Sequence, residues 1–159
     1  TIAQTVTIGQ VIEGFCAAAE GKEYESKGPS YDVNFPHIPS GIYSDPADMI
    51  TGVPIPQPIL IKDNKKEMLD KMINENFAIL AQESNLDLTE KAKTIVDLLG
   101  IKLITMDSYE DSEERLKTVF EKYKAVLIRP DKYTYGGVED ISSLSDMIES
   151  LEKEFYLNL

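Results

Sequence analysis

A chain of 159 residues is long enough to bury a core without disulfide or metal support, and it suggests one domain with an appendage. Its formal net charge of −12 argues against nucleic acid and anionic membranes as partners, because both are held through clustered Lys and Arg. One cysteine, Cys16, and one histidine, His37, exclude an intrachain disulfide and a zinc site of the Cys/His kind.

No apolar run approaches the roughly 20 residues of a spanning helix. No basic segment precedes an apolar one at the start, so no signal peptide is read. A reducing, cytoplasmic setting is expected.

Residues 1–20 are apolar and Ala-rich, with Val6, Ile8, Val11, Ile12, Phe15 and Cys16, and read as a short strand followed by a helix. Residues 21–58 change character: seven of the eight prolines fall there, from Pro29 to Pro58, among Gly21, Gly28, Gly41 and Gly52. Proline removes a backbone donor and disfavours helix at the residue before it. The segment reads as an extended connector lying over a surface, pinned by Val33, Phe35, Ile38, Ile42 and Tyr43.

From residue 59 the pattern becomes regular. "ILIK" (59–62) reads as a strand and "KKEMLDKMI" as a charged helical turn. "FAILAQ" (77–82) reads as a buried strand. A helix over 88–99 places Ala92, Ile95, Val96 and Leu99 on one face, with Gly100 as the stop. "IKLITM" (101–106) is the next strand. Asp111 or Ser112 then caps a helix with Glu113 and Glu114 in its first turn and Leu116, Val119, Phe120 and Tyr123 along its stripe. Strands over 125–129 and 132–136 flank a turn at Pro130-Asp131. A last helix opens near Ser142 or Ser143 and buries Leu144, Met147, Ile148, Leu151 and Phe155.

The core order is β-α-β-α-β-β-α. A strand-helix-strand unit implies a parallel pair, and the tight turn adds an antiparallel one. The expected fold is α/β: a thioredoxin-like, four-stranded mixed sheet flanked by helices and preceded by the extended Pro-rich connector.

In that fold a Cys-x-x-Cys at a helix N-terminus supplies a thiolate of lowered pKa. Here the corresponding segment, "ESNLDLTE" (83–90), has no cysteine. Where the fold usually places a cis-proline, just before the hairpin, stand Lys122, Tyr123, Lys124 and Ala125. Dithiol exchange is not expected. Cys16 reads as a small apolar residue and His37 as a surface or packing residue. Glu113/Glu114 and Glu139/Asp140 read as acids at helix starts. Gly136-Gly137 reads as a strand exit, and Met68, Met72 and Met147 as core. Arg129, at a strand end beside Asp131, suits a structural bond to turn carbonyls or to that carboxylate.

The segment "LIRPDKYTYGG" (127–137) resembles the (L/V)-(V/I)-R-P-D signature near the end of FAD-dependent aromatic hydroxylases, the phenol hydroxylase and 3-(3-hydroxyphenyl)propionate hydroxylase family. "IGQVIEGFCAAAEG" (8–21) resembles the stretch that closes the flavoprotein body, and "GVPIPQPILI" (52–61) the approach to the terminal domain. Two departures stand out: Lys132 replaces the family's usual Gly, and the chain has no Trp.

The resemblance implies the family's C-terminal thioredoxin-like domain, with residues 1–20 ending a flavoprotein body, 21–58 a connector and 59–159 the domain lacking Cys-x-x-Cys. It implies a structural Arg129-Pro130-Asp131 signature and no catalytic, metal or cofactor-binding residues in this chain. FAD and NAD(P)H would belong to the full-length enzyme, a monooxygenase hydroxylating an aromatic ring. The implied partners are that flavoprotein body or a second subunit, in a homo-oligomer. Two other readings stay open: a free-standing redox-inactive interaction module using exposed Tyr133 and Tyr135 and the acidic face as its contact surface, and a thiol enzyme using Cys16.

Overall fold

A computed structural model describes residues 41–44 and 49–157. Asp63 and Asn64 both take left-handed backbone, at φ 50° and 61°. Two such residues in succession make a two-residue hairpin turn whose twist suits the flanking strands. The chain therefore doubles back: β1 (Ile59–Lys62) pairs antiparallel with β2 (Lys65–Met68). "KKEM" is thus a strand and not the start of a helix. Only Leu69–Ile73 is helical (α1), burying Leu69 and Ile73. Met68 ends the strand 43% exposed, outside the core in which it was expected, while Met72 packs against the core and Met147 lies within it.

The apolar runs behave as read. β3 (Ala78–Ala81) and β4 (Lys102–Thr105) run parallel, with Ala78 opposite Lys102. A two-residue strand, β5 (Glu110–Asp111), joins the free side of β1. β6 (Ala125–Ile128) pairs antiparallel with β3 and with β7 (Thr134–Val138). The main sheet has the order β4-β3-β6-β7, and β2-β1-β5 form a separate three-stranded sheet.

Every residue of β3 and of β6 is buried, because the sheet is covered on both faces. Ile79, Ala81, Ala125 and Leu127 face α2 (Glu90–Leu99) and α4 (Leu144–Phe155) through Ile95, Leu144, Ile148 and Leu151. Ala78, Leu80, Val126 and Ile128 face α1, α3 (Lys117–Lys122) and the small sheet through Ile73, Val119 and Leu60. Truncating one of these fully buried aliphatic side chains to Ala costs about 2–5 kcal/mol.

Helix ends follow local chemistry. The Thr89 side chain accepts the Ala92 N–H at 3.0 Å to start α2, and Gly100 closes it at φ 60°. The helix read from Ser112 begins only at Lys117. Asp111 is held in a strand opposite Leu60, and Glu114 sits at φ 51°, which breaks the helical path. Asp111 still works as a cap, its carboxylate accepting the Leu116 N–H at 2.8 Å. Glu113 and Glu114 lie ahead of the helix and pair with Arg115 and Lys117. Asp140 does open a helical turn, accepting the Ser142 N–H at 3.0 Å just before α4.

The described part of the connector runs beside β7. Ser44 N–H donates to Tyr135 O (3.0 Å), Gly52 N–H to Thr134 O (2.9 Å), Thr134 N–H to Val53 O (2.9 Å) and Ile55 N–H to Lys132 O (3.0 Å). Pro54 bridges Tyr133 in the antiparallel sense. Since Ile55 faces β7, Pro54 and Pro56 face away, where a missing N–H costs no bond to the sheet. Ile42 and Ile50 pack on the two core clusters. Val33, Phe35, Ile38, Cys16 and His37 lie outside the described residues.

Candidate functional site

The Arg129-Pro130-Asp131 segment builds the β6–β7 turn. Arg129 N–H donates to Tyr133 O at 2.8 Å and Lys132 N–H to Arg129 O at 2.9 Å. Lys132 then takes left-handed backbone at φ 70°. This is a three-residue loop whose last residue must be left-handed, which is what a glycine at that position would do without strain. Asp131 accepts the Tyr133 N–H through Oδ1 at 3.2 Å and the Arg129 guanidinium through Oδ2 at 2.5 Å. The other arm of Arg129 donates to Ile42 O at 3.3 Å, and its guanidinium lies 4.7 Å over the Tyr43 ring. Arg129 thus bonds the carboxylate expected of it and also the connector, which the sequence reading missed.

Gly136 and Gly137 lie inside β7 and not at its exit. A Cβ on Gly136 would stand 2.7 Å from Ser44 Cβ, and one on Gly137 2.6 Å from the Tyr123 ring. Both glycines make room for close neighbours, the connector on one side and Tyr123 on the other. Tyr135, read as exposed in the interaction-module alternative, is 1% exposed. Its hydroxyl shares a 2.6 Å hydrogen bond with Ser150 Oγ, and burial pushes the phenol pKa up. That alternative loses one of its two contact tyrosines.

The other candidate is the corner where the fold would carry a dithiol, at the C-terminal end of β3. Gln82 N–H donates to Lys124 O at 3.0 Å, and Lys124 Nζ donates back to Gln82 Oε1 at 3.0 Å. Gln82 Nε2 also reaches Phe120 O at 2.6 Å. Lys124, among the residues ahead of β6 where the fold usually places a cis-proline, is tied to β7 by its N–H bond to Val138 O (2.7 Å). The α2 N-terminus, whose dipole would lower a thiol pKa, is exposed and carries Thr89 and no thiol. Ser145 Oγ accepts the Thr89 N–H at 3.0 Å, and the Thr89 hydroxyl donates to Glu149 at 2.5 Å.

Next to it, Asp107 Oδ2 accepts from Ser84 N–H (3.0 Å) and Ser84 Oγ (2.5 Å). The Ser84 hydroxyl bond, followed by that of Thr105, holds the Asp107 carboxyl below its ordinary range. An open cleft of about 400 Å³ lies over the corner, between Gln82, Glu83, Lys124, Glu139 and Asp140. Amide, amine and carboxylate groups line it, with Ile141 beside them. Among the described residues no cluster of His, Cys, Asp and Glu is arranged to hold a metal, and no helix is long and apolar enough to cross a membrane.

A thioredoxin-like frame with hydrogen-bonded polar side chains in its dithiol corner defines the class of domain. Residues 52–154 match the HcaD C-terminal domain, and the chain belongs to that family. The assignment agrees with the resemblance to the C-terminal domain of FAD-dependent aromatic hydroxylases carried by residues 127–137.

Among solved structures, the chain is similar to the flavin-dependent monooxygenase PieE in complex with FAD and substrate. The TM-score is 0.60 at 14% identity, over 96% of this chain and 31% of that one. The OxyS anhydrotetracycline hydroxylase from Streptomyces rimosus matches at TM-score 0.48 and 16% identity, over 89% of this chain and 25% of that one. Aklavinone-11 hydroxylase, in a ternary complex with FAD and aklavinone, matches at TM-score 0.46 and 16% identity, over 60% of this chain and 20% of that one. The chain therefore spans a fifth to a third of these proteins' lengths. No curated protein matches.

Proposed function

We propose that this chain is the redox-inactive C-terminal domain of a flavoprotein monooxygenase that hydroxylates an aromatic ring, and that it serves assembly and not catalysis. The observation that carries this reading is the corner itself. The family's domain keeps the thioredoxin-like frame, while the segment 83–90 ahead of α2 carries no cysteine, Thr89 and no thiol caps that helix, and no proline stands among residues 122–125.

In this reading FAD and the reductant NAD(P)H are held by the rest of the enzyme. Three of the five described glycines have structural roles within the fold. Gly100 ends α2 at φ 60°, and Gly136 and Gly137 lie under Ser44 and Tyr123 inside β7. No step of flavin chemistry is assigned to this chain. Residues 1–20 would close the flavoprotein body, 21–58 connect, and 59–159 form the terminal domain. Arg129-Pro130-Asp131 would be structural, fastening the connector. The partner would be the flavoprotein body or a second subunit, in a cytoplasmic homo-oligomer.

Purification from the native source tests this. A flavoprotein body is expected to travel with the chain, and the chain expressed alone is expected to be colourless. A chain that retains flavin by itself, or that is found free of any flavoprotein, overturns the reading.

A further inference from the structure

The two edges of the main sheet differ. Along β7 the connector is hydrogen-bonded, and its Pro54 and Pro56 turn away without N–H donors. The other edge is β4. Its register with β3, together with the Lys102 N–H bond to Phe77 O (2.9 Å), aims the amides of Lys102 and Ile104 inward. Alternate residues of a parallel strand bond the same neighbour, so the N–H and C=O of Leu103 and Thr105 point outward. Leu103 is 49% exposed there, and Leu98, near the end of α2, is 58% exposed. Natural edges of this kind are usually guarded by charge, proline or a bulge. From Leu98 to Met106 the only charged residue is Lys102, and its Nζ is engaged by Met72 O at 2.9 Å.

We propose that two copies of this chain pair through β4, antiparallel, across a twofold axis at Leu103. Two observations select a second copy as the occupant. A residue whose N–H and C=O both face outward can exchange both bonds with itself across a twofold axis, which makes the edge self-complementary. In that register Leu103 meets Leu103 of the second copy, and Lys102 meets Ile104. The second observation is charge. Each copy carries −12, so most faces would bring carboxylates together, whereas residues 98–106 contain none. The pairing concerns this chain alone, so its failure would leave the flavoprotein reading standing, and the reverse also holds.

Sedimentation of the full chain over a concentration series tests it. A reversible monomer–dimer equilibrium is expected. Leu103→Pro removes the outward N–H without touching the β3 ladder and is expected to weaken the dimer about tenfold or more. Leu103→Lys should do the same by setting like charges opposite each other. Circular dichroism checks that each variant is folded. In a Cys16→Ser background, Leu103→Cys should cross-link on oxidation, since residues on such an axis sit about 5.5 Å apart, within disulfide reach. Thr105→Cys, which this register places opposite Ile101, should not. A chain that stays monomeric throughout, a folded Leu103→Lys variant that dimerises like the wild type, or equal cross-linking at Thr105 would overturn the proposal. If Leu103→Pro fails to fold, the Lys variant and the cross-links decide.

Discussion

The Arg129 guanidinium lies 4.7 Å over the Tyr43 ring while its Nη2 holds Asp131 at 2.5 Å, so one side chain joins the connector to the β6–β7 turn. Its side chain is 19% exposed, which shields the pairing from solvent more than a surface ion pair. Arg129→Ala is expected to cost about 1–3 kcal/mol in urea unfolding. Amide exchange at Ser44 and Gly52 should speed up as the connector loosens. Arg129→Lys should rescue only part of the loss, since an ammonium cannot bond Ile42 O and Asp131 while stacking on the ring. Unchanged exchange at Ser44 in the Ala variant would show that the backbone bonds hold the connector unaided.

The glycine pair makes a sharper geometric prediction. Gly136→Ala and Gly137→Ala should each cost about 1–3 kcal/mol by overpacking, read as a lowered melting temperature. Only the first should be relieved by Ser44→Gly, because Ser44 faces Gly136 and the Tyr123 ring faces Gly137.

Lys132 stands at φ 70° with its Nζ donating to Pro130 O at 2.8 Å and also to Asn74 O. A left-handed non-glycine residue costs roughly 1–2 kcal/mol. Lys132→Gly should therefore raise stability by about 0.5–1 kcal/mol after the loss of these exposed side-chain bonds. A decrease would mean that the lysine's two carbonyl contacts outweigh the backbone strain.

Asp107 supplies a pH dependence. Hydrogen bonds from Ser84 and then Thr105 lower its folded pKa below the ordinary value. A carboxyl depressed in the folded state contributes stability above its unfolded pKa, and that contribution disappears as pH falls through the folded pKa. Wild type should thus be more stable than Asp107→Asn at neutral pH, and the difference should shrink through the acid range below the ordinary aspartate pKa. A difference that stays constant with pH would point to packing and not to charge.

The main sheet was legible because β3 and β6 are buried on both faces and so appear as unbroken apolar runs, and because Gly100 marks the end of α2 so plainly. β2 was not legible: all of its residues are exposed, so it lacks the alternation that identifies a half-buried strand. The signal that could have found it is Asp63-Asn64, two residues that tolerate left-handed backbone, between "ILIK" and "KKEM". The roles of Gly136, Gly137 and Tyr135 depend on Ser44, Tyr123 and Ser150, partners far apart in the chain, and no local pattern announces them. Arg129 was read correctly toward Asp131, two residues away, and missed toward Ile42, 87 residues away.

Pro54 and Pro56 give the sheet a direction of growth. Strand addition on the connector side finds no N–H donors at those two positions, which disfavours it there. In the proposed pair, β4 is the edge used and the proline-bearing side is the one left over. Such a pair would tend to stop at two copies and not to extend into a fibre.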